Sequence, residues 1–574
     1  MKRKVFLTCF TLLLALVLSA MLVSCSKEDL KAPSFEITDP VSHKTEIEFE
    51  IRETDPDSIG EIKSILLFEN ATQIKEAEKL DTRKFDNLKA NTTYTVKVIY
   101  SYDLQDGEGE RTGETVLNIK TLEGYTSKTD IRKDWEGKTL NVACSTYSGS
   151  AGAPWSVLEL CVDYGKESGF GTKIDAAVLE RNEFIKNTYG VKVNWINATR
   201  YSMYDFFELA AVSKNFTVEL ALPRMMNAQT IVANGHVYDL NNRELIDFSN
   251  PYYNQSSVEA YTAKGHTFFV DGEFSIISKE TAGMLYFNKE LLGGEQATAD
   301  LYKKVREGKW TWSEMITLSN SVVRTDDGED GFLHNPNEVR GLSVNSYDRL
   351  FGYFGVNQAG VDKSTGEWRL TLKDSDLDKI INTIIETRTG GWAYAYYEGC
   401  TCWPTITFFE EGRILFCEST PDLISPKGYF PNESVGVVPF PMLSEEQGRY
   451  YSPVASHLVT PMCIPKYTQN REMSEYFLDV LSWTGGEYTV EAYLEQKAEL
   501  LVDGNDIEML KDYIFPNIIY DPGTAVRFKN ILGDVLSESH RANKNRFTDA
   551  YAKYEPDALN TIEAWNTAWG AYTE

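Results

Sequence analysis

Bond-breaking chemistry needs paired acids, a nucleophile beside a base, or a metal, and this chain carries the residue types without the spacings. The six histidines (His43, His236, His266, His334, His457 and His540) are scattered, with no H-E-x-x-H and no close pair, so metal-assisted hydrolysis has no support. Cys400-Thr401-Cys402 is a single C-x-C with no second knuckle and no histidine nearby, so no metal site is expected. No G-x-S-x-G elbow is present. Gly149-Ser150-Ala151-Gly152-Ala153 lacks the lysine of a phosphate loop. The 85 Asp and Glu residues could supply the paired carboxylates of a glycosidase, but no run of eight strand-helix units exists to present them. Aromatic residues are in excess, with 11 Trp, 32 Tyr and 28 Phe. Most of these belong to a core. The rest suit a surface that stacks on flat ring faces and holds a molecule unchanged. No catalytic residue and no cofactor is expected.

One cysteine does have a chemical context. Lys2, Arg3 and Lys4 precede an apolar run from Val5 to Val23, and Leu22-Val23-Ser24-Cys25 resembles the bacterial lipobox. The resemblance implies export, cleavage after residue 24 and diacylglycerol on Cys25. Two acyl chains anchor a protein stably where one does not. The expected location is the cell membrane, lipid-anchored on its extracytoplasmic face. No other apolar segment approaches about 18 residues. The formal charge is -28, and loss of the three basic signal residues makes the mature chain more acidic still. Such a surface repels phosphate backbones and anionic headgroups, so nucleic acid is excluded and the membrane is met through lipid alone. Cys9 leaves with the signal, and the remaining cysteines, Cys144, Cys161, Cys400, Cys402, Cys417 and Cys463, are too few for a disulfide framework, although one or two bridges stay open.

The elements that must position any site fall into two blocks. After a tether over 25–33, residues 34–122 read as about seven short strands, including Thr45 to Ile51, Ile62 to Phe68, Tyr94 to Tyr102 and Thr115 to Lys120. That pattern predicts a β-sandwich. Leu88-Lys-Ala-Asn-Thr92-Thr-Tyr94 is similar to the L-x-P-x-T-x-Y signature of fibronectin type III domains, with Ala90 in place of the proline. The resemblance implies a structural corner role for Tyr94. Residues 123–136 read as a linker. From 137 to 574 strands alternate with helices: strand Thr139 to Ala143, helix Ile174 to Thr188, strand Val191 to Ile196, strand Phe216 to Leu222 and helix Asn227 to Ala233. The alternation predicts an α/β domain with a largely parallel sheet, long enough for two lobes. Tyr493 to Glu574 reads as helical.

This second block resembles the extracellular solute-binding proteins of ABC importers, in the sugar-binding family that includes maltose-binding protein. Six stretches match in the family's order: Tyr189-Gly-Val-Lys-Val193, Asn234-Gly-His-Val-Tyr-Asp-Leu240, Gly283-Met-Leu-Tyr-Phe-Asn-Lys-Glu-Leu-Leu292, Trp310-Thr-Trp-Ser-Glu-Met315, Phe409-Glu-Glu-Gly-Arg-Ile-Leu-Phe416 and Val435-Gly-Val-Val-Pro-Phe-Pro441. Glu219 departs from the family's Asp, and Cys144 to Gly171 is a long insertion. The resemblance implies a two-lobed, periplasmic-binding-protein-like fold. Its interlobe hinge has crossings near 284–290 and 450–458. It implies capture of a solute, most readily a carbohydrate, and delivery to membrane permease subunits.

Strand ends place the expected contacts. Thr146, Tyr147 and Ser148 follow the first strand, Trp155 sits in the insertion, and Arg224 follows Leu222. In the second lobe Asn345 and Tyr347 occupy the loop that carries a stacking tyrosine in the family. Glu418, Thr420 and Asp422 follow the strand through Phe416, with Asp422 where the family often stacks a Trp. Trp392 and Trp403 are candidates for the missing ring. Two other readings compete: a surface glycoside hydrolase with a fibronectin-like accessory domain, and a carbohydrate-binding adhesin.

Overall fold

The computed structural model describes residues 30–42, 47–69, 71–77, 79–85, 88, 92–121, 132–146, 172–199, 202–214, 216–325, 335–345, 349–395, 403–424, 434–455, 458–501, 503–525 and 531–572. Contacts divide the chain into two compact units, Met1–Gly124 and Tyr125–Glu574.

The first unit is a β-sandwich. Strands β1 (Ser34–Ser42), β2 (Ile47–Thr54) and β5 (Lys84–Phe85) form one sheet in the order β1-β2-β5. Strands β3 (Gly60–Glu69), β4 (Thr72–Glu76), β6 (Thr93–Tyr102) and β7 (Arg111–Lys120) form the other, in the order β4-β3-β6-β7. All recorded pairings in it are antiparallel. The alternation in β6 turns Tyr94, Val96 and Val98 inward, where they meet Ile47, Phe49, Ile65 and Leu67. The C-x-C segment and residues 89–91 of the fibronectin-like signature lie outside the described residues, and Leu88 and Tyr94 are both buried.

The second unit holds two sheets. In the first lobe β8 (Thr139–Thr146) lies between β9 (Lys192–Thr199) and β10 (Leu220–Leu222), all parallel. Helices α1 (Thr172–Tyr189) and α2 (Ser202–Ser213) make the long return connections that parallel strands require. Helix α3 (Ala228–Ala233) follows β10. The sheet continues through antiparallel bridges Ala221–Cys463 and Val270–Met462. Leu140, Val142, Leu220 and Leu222 pack on one face with Tyr476 and Phe477, whereas Ala143 and Ala221 face Phe207 and Ile231. The expected strand from Phe216 is shorter than its apolar pattern predicts. Phe216 pairs with Thr468 instead, and the chain joins β8 only where the Glu219 N–H donates to the Asn141 carbonyl.

The chain leaves this lobe through a hairpin, β11 (Thr262–Ala263) and β12 (His266–Thr267), and a short helix Ile277–Glu280. It crosses at Ala282, bridged to Val454, while the Gly283 N–H donates to the Pro453 carbonyl (3.0 Å). In the second lobe β13 (Met284–Asn288), β14 (Arg340–Val344), β17 (Ala393–Ala395), β18 (Ile414–Ser419) and β19 (Val435–Val438) form a sheet in the order β17-β14-β18-β13-β19. β13 arrives from the other lobe and runs antiparallel to both neighbours. β20 (Ser452–Pro453) returns beside β21 (Ile518–Ile519), so a third segment joins the crossing. Motif residues far apart in sequence meet here. Asn288 caps the next helical turn by accepting from the Leu291 N–H, and the buried Trp310 indole donates to the Pro439 carbonyl.

Helix α4 (Leu377–Thr389) covers the second sheet, and α5 (Arg471–Thr484) covers the first. After α6 (Glu491–Leu500), α7 (Ile531–Ala542) and α8 (Phe547–Gly570) close the chain. Helix α8 binds elements of both lobes. Trp565 and Trp569 meet Trp368 edge-on at 5.4 and 5.5 Å, where Trp368 lies in the second-lobe hairpin β15 (Ala359–Val361) and β16 (Trp368–Leu370). Trp569 also meets Phe268 of the first lobe at 5.4 Å, and the Tyr572 hydroxyl accepts the Asp239 N–H. Among the described residues no helix is long and apolar enough to cross a membrane. Trp569→Ala is expected to cost the second unit about 3–5 kcal/mol. Differential scanning calorimetry should show its transition lowered and the sandwich transition unmoved.

Candidate functional site

In open α/β sheets a ligand is met at the carboxyl ends of the strands. In the first lobe Leu222 ends β10, and Arg224 follows at the start of the turn Met225–Asn227, 2 % exposed. The antiparallel register from Ala221–Cys463 runs on to a bond from the Met225 N–H to the Val459 carbonyl, which sets Arg224 opposite Thr460. Thr460 is buried and its Oγ1 has no hydrogen-bond partner. Five residues on from Arg224, in the first turn of α3, Gln229 is also buried, with neither Nε2 nor Oε1 bonded. Buried polar atoms left unbonded cost free energy until a water or a ligand meets them. Glu219 is structural. It accepts the Asn141 N–H (2.8 Å) and the Asn470 amide (3.2 Å), a pair of contacts served by its longer side chain.

In the second lobe the ends of β14 and β18 lie side by side. The Glu418 carboxylate is enclosed and accepts three donors: the Asn345 N–H (3.0 Å), the Tyr353 hydroxyl (2.7 Å) and Arg349 Nε (2.8 Å). The side chain of Arg349 is about a third exposed, so its guanidinium reaches the surface from a buried ionic base. Burial, and then the Glu418 charge, hold the Tyr353 phenol well above its usual range, so it stays a donor. Behind this carboxylate Tyr353 stacks on Phe440 (4.0 Å), Phe440 on Trp312 (5.9 Å), and Trp312 meets Trp392 edge-on (5.8 Å).

These placements separate the expected contacts. Asn345 and Glu418 are brought together, and Thr420 and Asp422 are joined by a bond from the Thr420 hydroxyl (2.5 Å). Arg224 stands alone of the set on the first lobe among the described residues. Trp392 is 5 % exposed at the core end of the aromatic series. Trp403 opens the helix Trp403–Glu410. Tyr147, Ser148, Trp155, Tyr347 and Cys25 lie outside the described residues. The sequence reading missed Arg349, Gln229 and Thr460. Arg349 could have been found as the first basic residue after β14, whereas Thr460 shows itself only through the register. Cys417 and Cys463 are buried thiols, and burial pushes Cys417 up to about 12, so both are unreactive as nucleophiles. Cys161, Cys400 and Cys402 lie outside the described residues.

No family model matches the chain, and no curated protein matches it. Solved structures do. The sugar-binding protein MalE of Xanthomonas citri overlaps with a TM-score of 0.48 at 11% identity, covering 76% of this chain and 100% of its own. A sugar transporter protein of Rhizobium etli, in an open conformation, overlaps at 0.45 with 11% identity, covering 76% and 100%. An ABC transporter solute-binding protein of Thermotoga lettingae, bound to α-D-tagatose, overlaps at 0.44 with 12% identity, covering 75% and 100%. All three scores fall below 0.5, so the reading of the site stands on this chain's own side chains.

Gly283 ties the crossing to this site, because a Cβ there would lie 2.3 Å from the Tyr353 hydroxyl. Glu418→Gln is expected to cost about 1.5–3 kcal/mol through its charged hydrogen bonds. Gly283→Ala should displace the same phenol. The double variant should therefore lose less than the sum of the two single losses, as read by denaturant unfolding of the second unit.

Proposed function

We propose that the chain is a binding protein of an ABC import system, anchored by lipid on Cys25 at the extracytoplasmic face. It captures a carbohydrate between two lobes, hands it to membrane permease subunits, and makes or breaks no bond. The observation that carries this reading is that two sheets joined by one crossing each end in polar side chains. The first lobe offers Arg224, Gln229 and Thr460, and the second offers Asn345, Glu418 and Arg349 on an aromatic backing. Polar groups that bond hydroxyls in bidentate fashion are the chemistry of sugar recognition, and the buried rings behind the second-lobe set hold it in place. The six ordered sequence motifs support the family: residues of the first two pack in the first-lobe core, and those of the other four build the crossing and the second-lobe core.

The contacts proposed within the cleft are Arg224, Asn345, Arg349 and Thr420, with Tyr147, Ser148, Trp155, Tyr347 and Trp403 from the sequence reading. Glu418, Asp422 and Trp392 act from behind the surface. The sandwich is proposed as a fibronectin type III-like spacer: its three-plus-four strand order and the buried Tyr94 support that reading.

Calorimetric titration of the purified protein against mono- and oligosaccharides tests the proposal. One sugar should bind with one-to-one stoichiometry and, at about a hundredfold excess over its Kd, stabilise the second unit by about 2.7 kcal/mol. Arg224→Ala should weaken that binding at least tenfold while the sandwich is unaffected. Binding of peptides and no sugar would overturn the solute class, and hydrolysis of the sugar would overturn the binder. Cys25→Ala should release the protein from membranes and leave its titration curve unchanged.

A further inference from the structure

Behind the loop that ends β18 lies a group of ionisable side chains that solute capture does not use. Glu280 closes the short helix just before the crossing and is 4 % exposed. Asp422 sits in the turn Pro421–Leu423, directly after β18, and is 8 % exposed. Lys497 comes from α6 and is fully enclosed. All three donors of its ammonium are spent: on Glu280 Oε1 (2.8 Å), the Pro421 carbonyl (2.8 Å) and the Ile424 carbonyl (2.6 Å). One side chain thus pins both ends of the turn that directly follows β18 and joins them to the crossing.

We propose that Lys497, Glu280 and Asp422 form a proton-gated latch in which Lys497 positions the β18 loop against the hinge and ionisation of Asp422 loosens it. The proposal rests on the solute-site reading only for its consequence, a binding cleft whose posture follows pH.

The charge balance supports it. With Asp422 protonated, the ammonium and the Glu280 carboxylate cancel. With Asp422 ionised, a second negative charge sits in the same enclosed group, out of ion-pair contact with Lys497 but near enough to act on it, and its attraction competes with the Pro421 and Ile424 carbonyls for the ammonium. The remaining groups facing the cluster do not relieve it. Tyr286 of β13 donates to the Thr420 carbonyl (2.9 Å), and Cys417 lies behind it on β18. Tyr493 of α6 holds its ring 4.8 Å from the ammonium, while its hydroxyl and Glu280 Oε2 have no hydrogen-bond partner. The Thr420 hydroxyl is the donor that Asp422 does have. Burial, with Glu280 adding to it, pushes Asp422 up to about 7 against the weaker pull of Thr420 and Lys497. Glu280 is raised as well, by burial.

The direction follows from linkage. The folded state holds the Asp422 proton more tightly than the unfolded state does. Its stabilising share is therefore present in acid, lost as pH rises towards about 7, and constant above that.

The test compares purified parent, Asp422→Asn and Lys497→Met proteins without any solute. Melting of the second unit is read from about pH 5 to pH 8. Amide hydrogen exchange of residues 420–424 is read at matched intrinsic rates. The parent should lose several degrees more than Asp422→Asn over this range. Exchange in its loop should rise about tenfold from pH 6 to pH 8, the equivalent of one pKa unit of linkage. Asp422→Asn should keep the loop slow throughout, and Lys497→Met should exchange fast at every pH without a step. Parallel melting curves for parent and Asp422→Asn, or loop exchange indifferent to pH, would overturn the latch. If Lys497→Met does not fold, Asp422→Asn alone decides. A latch that behaves as stated in a protein that binds no sugar would remove the solute reading and leave the device.

Discussion

The structure of the second unit turns on a close approach at one point. Gly283 carries the chain between lobes, bonds to the returning strand at Pro453, and leaves room for the Tyr353 ring where any side chain would collide with its hydroxyl. That hydroxyl is one of three donors on Glu418, which in turn fixes the end of β14 at Asn345 and the base of Arg349. A buried carboxylate is tolerable only when its lone pairs are met. The crossing, the aromatic backing and the surface of the second lobe are therefore satisfied together or not at all.

The same solution recurs through the unit. Asp479 accepts from Tyr252 (2.5 Å) and Tyr253 (3.2 Å), Asp506 from Tyr302 (2.5 Å) and the Val437 N–H (2.7 Å), and Asp271 from Tyr520. Burial pushes Asp506 to about 6 and Asp521 to about 6, so these sites store acid-favoured stability as Asp422 does. Two features of the composition, the abundant tyrosine and the acidic balance, have a common structural use here. Tyr252, Tyr253, Tyr302, Tyr353 and Tyr520, which in sequence read like any other stacking ring, donate instead to interior carboxylates. This strong enclosure also explains why the Glu280–Lys497 pair is a positioning device: removing either partner leaves a charge with no water to receive it.

Much of the architecture is legible along the chain because it depends on local periodicity. β6 alternates from Thr93 to Ile99, and α1 spans Thr172–Tyr189 where the pattern predicts Ile174 to Thr188. The stretch Gly283 to Leu292 is legible as a motif, but the reason for its glycine is not, because Tyr353 lies seventy residues on. Sequence spacing likewise leaves open which rings face a cleft. Trp392 belongs to a series of four stacked or edge-on rings assembled from separate segments. Arg349 and Thr460 gain meaning only from contacts across strands, Glu418 for the one and Arg224 for the other. Charge pairs such as Glu280–Lys497 span more than two hundred residues, and no local pattern reports them.

Closure of two lobes on a solute is the central claim, and an interlobe distance tests it most directly. Genetically encoded spin labels at Lys192 and Asn382, exposed positions on the first and second lobes, would be measured by pulsed dipolar spectroscopy. Saturation with the sugar that binds should shorten the distance by several ångströms and narrow its distribution. An unchanged distance at full occupancy would contradict the account.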